Sequence, residues 1–369
     1  MKRRPFLLMM IVVVVVAGAA LVRARPQRPA ERRGQEVPMA ASPALARLQD
    51  MTARFAPVDI TADLAGLPAN EQQALAKLVQ AGWVMDALFL RQVWGGNDAM
   101  LMQLQTDKTP VGQARLHYFL INKGPWSRLD ANAAFIPGAP AEKPPAANFY
   151  PPGASKADLE AWMKSLPAAQ QQQAAGFFTT IRRDGKTFAI VPYSVEYQGE
   201  LARAADLLRE AAALTSEPTL KAFLAKRADA FLSNDYYDSD VAWMELDAAI
   251  EPTIGPYEVY EDEFFNFKAA FEAFIAIRDQ AESAKLQKLG GELQDIENHL
   301  PIDAQYRNPK LGGMAPIRVV NLLLAAGDGN RGVQTAAFNL PNDERIVKEK
   351  GAKRVMLKNV QDAKFKMVL

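Results

Sequence analysis

Apolar residues recur at helical spacing in four stretches of the chain. Leu75, Leu78, Val79, Trp83, Met85, Phe89 and Val93 repeat every three to four positions, which predicts an amphipathic helix starting near Pro68. Ser155 and Asp158 form a capping box ahead of Leu159 and Trp162, and Pro167 ends that short helix. Leu201, Ala204, Leu208, Ala211 and Leu214 make a third stripe. Phe264, Phe267, Phe271, Phe274 and Ile275 predict the start of the longest helix, which runs toward Lys288 until Gly290-Gly291 interrupt it. Strand patterns are fewer. Residues 177–181 and 187–191 flank a charged connection in which Asp184-Gly185 supplies the positive φ angles of a hairpin turn. Residues 317–325 form a short apolar run ended by glycines, as a buried strand would. The pattern predicts an α+β, helix-rich fold with a small β-structure.

The front of the chain follows a different rule. Lys2, Arg3 and Arg4 precede an apolar run over residues 6–22, and Ala17 to Ala20 supply small residues behind it. A basic start, an apolar stretch and small residues make the secretory signal pattern, and the run is also long enough for a signal anchor. Residues 1–24 are therefore expected to be a signal peptide or signal anchor, and the Pro/Arg/Glu-rich residues 25–41 a disordered linker. The expected location is the periplasm, with inner-membrane anchoring as the alternative; a membrane is a partner only through this segment, if uncleaved. Residues 42–369 form the body. Because one hydrophobic core stops growing near about 250–300 residues, a chain of 369 residues predicts two lobes.

Composition removes several classes of chemistry. The chain has no cysteine, which excludes disulfides, thiolate metal sites and cysteine nucleophiles. Its two histidines, His117 and His299, stand far apart in sequence, so no helical His-x-x-x-His zinc pair exists. His117 is expected to be partly buried and His299 to end a helix, and no nucleophile elbow accompanies either. Residues 1–36 carry eight Lys or Arg against two Glu, which leaves a net charge of −5 for the rest of a chain whose total is +1. An acidic body argues against nucleic acid as a partner. Gly327-Asp328-Gly329-Asn330-Arg331-Gly332 fits Gly-x-Gly-x-x-Gly, yet Pro341 follows too soon for the helix a dinucleotide site needs, so a tight glycine turn is the better account. The basic residues of the C-terminal stretch, among them Lys353 and Lys358, are expected on a solvated face.

Two segments carry chemistry suited to a peptide. Glu258 and Tyr260 lie in a dense mixture of aromatics and carboxylates, where a carboxylate can pair with an amine and a phenol can hydrogen-bond a carbonyl. Asn339 and Asn342 flank Leu340-Pro341, and an amide side chain both donates and accepts, as holding an extended backbone requires. Polar loop residues capping nearby helices would look the same.

Gly255-Pro256-Tyr257-Glu258-Val259-Tyr260, residues 325–360, Asn148-Phe149-Tyr150-Pro151 and Leu159-Glu160-Ala161-Trp162 together resemble the bacterial branch of the dipeptidyl-peptidase III family. The likeness runs from about Thr61 to the end of the chain. It implies two lobes about a cleft and a zinc metallopeptidase that removes dipeptides from peptide N-termini. It also implies that Glu258 and Tyr260 receive the free amine and adjacent backbone, and that Asn339 and Asn342 hold the N-terminal part of the peptide. The family's His-Glu-x-x-Gly-His motif has no counterpart here, so the chain is expected to be an N-terminal, substrate-recognising portion, incomplete relative to the family fold. It should be inactive by itself, with no metal or catalytic residue of its own and with a C-terminal zinc lobe as its missing partner. A non-catalytic periplasmic peptide-binding or scaffold protein is the competing expectation.

Overall fold

The computed structural model describes residues 43–311 and 317–368; the leader and the linker lie outside the described residues. Helices come first: α1 (Pro43–Ala53), α2 (Ala69–Val93), α3 (Asn97–Thr106) and α4 (Pro110–Asn122). The two-residue strands β1 (Trp126–Ser127) and β2 (Ala133–Ala134) pair with each other and precede α5 (Lys156–Ser165), α6 (Ala168–Ala174) and the hairpin of β3 (Thr179–Asp184) and β4 (Thr187–Pro192). A second helical run, α7 (Tyr193–Glu196), α8 (Gln198–Leu214), α9 (Pro218–Ser233) and α10 (Tyr237–Met244), leads into β5 (Ile250–Glu258) and β6 (Ala270–Arg278). The chain closes with α11 (Gln280–Asn298), β7 (Ile317–Gly327), β8 (Ala337–Leu340), α12 (Glu344–Lys350), β9 (Lys353–Leu357) and α13 (Lys358–Val368).

The five later strands make one mixed sheet in the order β5-β6-β7-β9-β8. β6 pairs antiparallel with both β5 and β7, β7 and β9 pair parallel, and β8 closes the edge antiparallel to β9. α2 packs across β6 and β7 so closely that a Cβ on Gly82 would fall 2.7 Å from Leu324 Cδ2. Gln92, fully buried on α2, anchors the start of β6: its amide donates to Ala269 O at 3.2 Å, and its carbonyl oxygen accepts from Phe271 N at 2.7 Å. A buried amide that both donates and accepts removes two unpaired backbone groups at once. This is the predicted α+β, helix-rich class with a small sheet. The described residues belong to one compact unit. Among them no helix is long and apolar enough to cross a membrane.

Helix α2 begins where predicted, after Pro68, and the Ser155 hydroxyl caps α5 by accepting from Asp158 N at 3.1 Å. Other expectations need correction. The helix predicted from Phe264 does not exist. Residues 264–267 are a turn, Phe271, Phe274 and Ile275 belong to strand β6, and the helix over Lys288 continues through Gly290-Gly291. α2, at 25 residues, is the longest among the described elements. Trp83 is 49% exposed and stands outside the buried stripe of α2, which instead runs through Leu78, Met85 and Phe89. In the β3–β4 turn only Gly185 has a positive φ, so the turn uses glycine at its first central position rather than an Asp-Gly pair. His117 is exposed on α4. His299 does end a helix, with Nδ1 2.7 Å from Asp295 O. Lys353 is not on a solvated face: it is 3% exposed, 2.8 Å from the carboxylate of Glu251 and 4.4 Å from the Trp243 ring centre.

Candidate functional site

Glu258 is the last residue of β5, and the loop after it is built around one carboxylate. Asp262, fully buried, accepts from the backbone N–H groups of Phe264, Phe265, Phe267 and Lys268 at 2.9–3.2 Å and from the Tyr150 hydroxyl at 2.8 Å. Five donors on one carboxylate hold residues 259–268 in a fixed course without regular structure. Burial and the charge of Asp262 keep the Tyr150 hydroxyl protonated far above its ordinary range. Lys268 extends the anchor, donating to Gly176 O at 3.0 Å and Thr179 Oγ1 at 2.8 Å, and burial pulls its amine down to about 7. Tyr260 projects from this loop, 73% exposed.

A cavity of about 240 Å³ opens where the loop meets the sheet, lined among others by Arg128, Glu258, Tyr260, Glu272, Asp328 and Phe338. Strand pairing assembles it. Glu272 of β6 stands opposite Gly255 on one side and Gly327 on the other, and Asp328 follows Gly327 directly. Gly327 has φ +65°, and a Cβ there would lie 2.1 Å from Phe271 O. Its N–H donates to Asp86 Oδ1 at 2.9 Å, and Asp86 is itself paired with Lys123 at 2.7 Å, so α2 fixes the turn that presents Asp328. The glycine motif is a tight turn, as predicted, with a carboxylate as its cargo. Gly327→Ala is expected to cost about 3 kcal/mol in denaturant unfolding, because it adds both a clash and a conformation open essentially to glycine alone. An alanine variant as stable as the parent chain would show that the backbone there relaxes freely.

The electrostatics of this cavity are lopsided. Glu261 pairs with Arg331 and Glu263 with Lys143, which uses those cations. Burial and the neighbouring Arg128 push Arg331 down to about 9. Glu258, Glu272 and Asp328 have no ion-pair partner among the described residues, and Glu272 Oε1 is buried with no hydrogen bond. Burial raises the carboxyl of Glu258. Burial, then the charges of Glu258 and Asp328, raise that of Glu272 well above its usual range. Burial raises Asp328 to about 6 against the opposing pull of Arg128. Three mutually repelling carboxyls around one cavity are what a cation with several N–H donors would relieve.

The four predicted residues are placed unequally. Glu258 and Tyr260 share the cavity wall. Asn339 is exposed on β8 beside Phe338, whose ring stacks on Phe274 at 4.6 Å inside that wall. Asn342 follows the cis Leu340–Pro341 bond and lines a neighbouring cavity, its Nδ2 donating to Tyr257 O at 2.7 Å. Sequence reasoning missed Glu272 and Asp328. The available signal was a lone carboxylate inside the apolar run of β6, and an acid between two glycines.

β8 is an open edge. Leu357 N donates to Ala336 O at 3.0 Å, and Phe338 lies opposite Val355. Antiparallel alternation therefore turns the backbone groups of Ala337 and Asn339 away from β9. Phe338 between them lines the acidic cavity, so the edge runs beside it.

This arrangement has close counterparts. The model of peptidase family M49 matches residues 154–368. The structure of dipeptidyl-peptidase III from Corallococcus sp. strain EGB is 65% identical, with a TM-score of 0.81 over 87% of this chain and 60% of that one. The structure of DPP III from Caldithrix abyssi is 47% identical, with a TM-score of 0.83 over 87% of this chain and 61% of that one. An Arabidopsis thaliana protein named Nudix hydrolase 3 is 40% identical over 371 residues, covering 87% of this chain and 48% of its own length. The chain thus spans about half the length of this curated relative and about 60% of the solved ones. It belongs to peptidase family M49, a family of dipeptidyl-peptidases.

M49 enzymes are zinc-dependent. Among the described residues no group of three or more His, Asp or Glu could hold a metal ion. His117 and His299 are exposed, one on α4 and the other at the end of α11. The acidic cavity offers carboxyl and hydroxyl oxygens but no histidine nitrogen. A catalytic zinc site takes nitrogen donors as well, so the residues described do not fit the ion.

Proposed function

We propose that this chain recognises the free N-terminus of an extended peptide on behalf of dipeptide release. The ammonium group sits among Glu258, Glu272 and Asp328, Tyr260 hydrogen-bonds the adjacent backbone, and the peptide lies along the open edge of β8 with Asn339 beside it. The observation that carries this reading is the set of three buried or half-buried carboxylates that form no ion pair among the described residues, with Arg128 on the same cavity wall but bonded to Arg331 O instead. An α-ammonium offers three N–H donors and a full charge, so one group answers all three carboxylates. An edge strand gives main-chain affinity, while the pocket supplies selectivity for the chain end.

Hydrolysis would call on zinc donors beyond the described residues; these residues bind and orient. Calorimetry with a short peptide, free and N-acetylated, tests the reading. The free peptide is expected to bind at least about tenfold more tightly. The purified chain should meanwhile release no dipeptide from an N-terminal reporter with zinc added. Equal affinity for both peptides would remove the ammonium site, and turnover would remove the division of labour.

A further inference from the structure

We propose that Asn342 is a positioning residue: by clamping the extra residue of a β-bulge at Tyr257, it sets the strand register that aims Glu258 at the peptide's amine. The inference rests on the ammonium site proposed above.

The β5–β6 ladder runs one to one from Ile250 opposite Ile277 to Pro256 opposite Phe271, and then places Glu258 opposite Ala270. Tyr257 is the extra residue. Cross-strand partners share a face, and Ala270 shares its face with Glu272 two residues on. The bulge therefore puts Glu258 on the side of the sheet that carries Glu272. In an unbroken ladder Tyr257 would stand opposite Ala270, and Glu258 would point to the other face. Bringing these two carboxylates to one cavity requires the inserted residue.

Such an insertion leaves backbone groups outside the ladder and needs support. Tyr257 O accepts from Asn342 Nδ2 at 2.7 Å. The Tyr257 ring, 3% exposed, lies 5.5 Å from the guanidinium of Arg227, itself fully buried and paired with Asp240. Arg227 in turn needs the space at Gly255, where a Cβ would approach its Nη1 to 2.5 Å. The bulge is held from below by packing and from outside by one amide donor. That bond also fixes how the amide is turned, with Oδ1 facing away from Tyr257.

Asn342→Asp separates this role from that of a simple ligand. The side chain keeps its shape and gains a charge that should attract an ammonium group, but it can no longer donate to Tyr257 O. If Asn342 only contacted the peptide's amine, the variant would bind a free-amine peptide as well as the parent chain or better. The clamp predicts a loss of about tenfold or more, confined to the free peptide and absent for its acetylated form. Asn342→Gln, which retains a donor, should recover most of the affinity. A crystal structure of Asn342→Asp gives a second readout: the clamp predicts a shifted ladder with Glu258 no longer opposite Ala270. Unchanged register, tighter binding, or equal loss in both variants would each overturn it. If the parent chain does not distinguish free from acetylated peptide, the ammonium site fails, and the register alone then decides the clamp.

Discussion

The peptide-free chain is expected to lose stability as the pH rises from about 4 to about 7, the reverse of what most carboxylate-rich proteins do over that range. Asp328, Glu272, Glu258 and Asp240 all hold their protons more tightly in the folded state than an exposed carboxyl does, chiefly through burial. The folded state then binds more protons than the unfolded one, and its advantage shrinks as those protons leave. For Asp328 the rise from 3.8 to about 6 is worth about 3 kcal/mol, lost between those two values. Carboxylates with the opposite displacement, such as Asp130 beside Arg54 and Asp279 beside Lys358, have their full stabilisation above the ordinary carboxyl range and lose it only at lower pH. Lys268, pulled down to about 7, shapes the curve on the alkaline side. A melting temperature lower by about 5 °C at pH 7 than at pH 4.5 is the expected result, and Asp328→Asn should flatten the slope. A melting curve that climbs steadily through this window in the parent chain would mean that the three carboxylates are not crowded as described.

The parts legible in the sequence share one property, a face that alternates with solvent. α2, α5 and α8 each bury one stripe, so their periodicity survives in the sequence, and β7 ends at glycines that had to be glycine. β6 was misread because helices and strands on both sides leave it no exposed face. Residues 270–276 are all buried, and Phe271, Phe274 and Ile275 fall at helical spacing by accident of composition. β5 was overlooked because Pro252, Gly255 and Pro256 look like breakers. They are tolerated because β5 is an edge strand, where a missing N–H leaves no partner unserved. The site suffered from the same blindness. Glu258 and Tyr260 could be picked out by resemblance, but Glu272 and Asp328 become their neighbours only through the β5-β6-β7 pairing, and register is not written in local pattern.

Glu258→Gln is expected to weaken a free-amine peptide by about 30-fold, near 2 kcal/mol, with little change for the acetylated peptide. Glu258 is a half-buried carboxylate with no ion-pair partner among the described residues, so its charge is open to an incoming cation. Tyr260, 73% exposed, competes with water for any hydrogen bond it makes, and Tyr260→Phe should cost no more than about threefold. The two peptides and two proteins form a cycle that isolates the amine–carboxylate coupling from losses in packing. The same substitution should raise the melting temperature of the peptide-free chain at pH 7, since it removes one of three repelling charges. Stability gained together with affinity lost distinguishes a recognition carboxylate from a structural one, which would lose both. Equal losses for free and acetylated peptide, or a lower melting temperature, would move Glu258 into the structural class and leave the cavity without its cation.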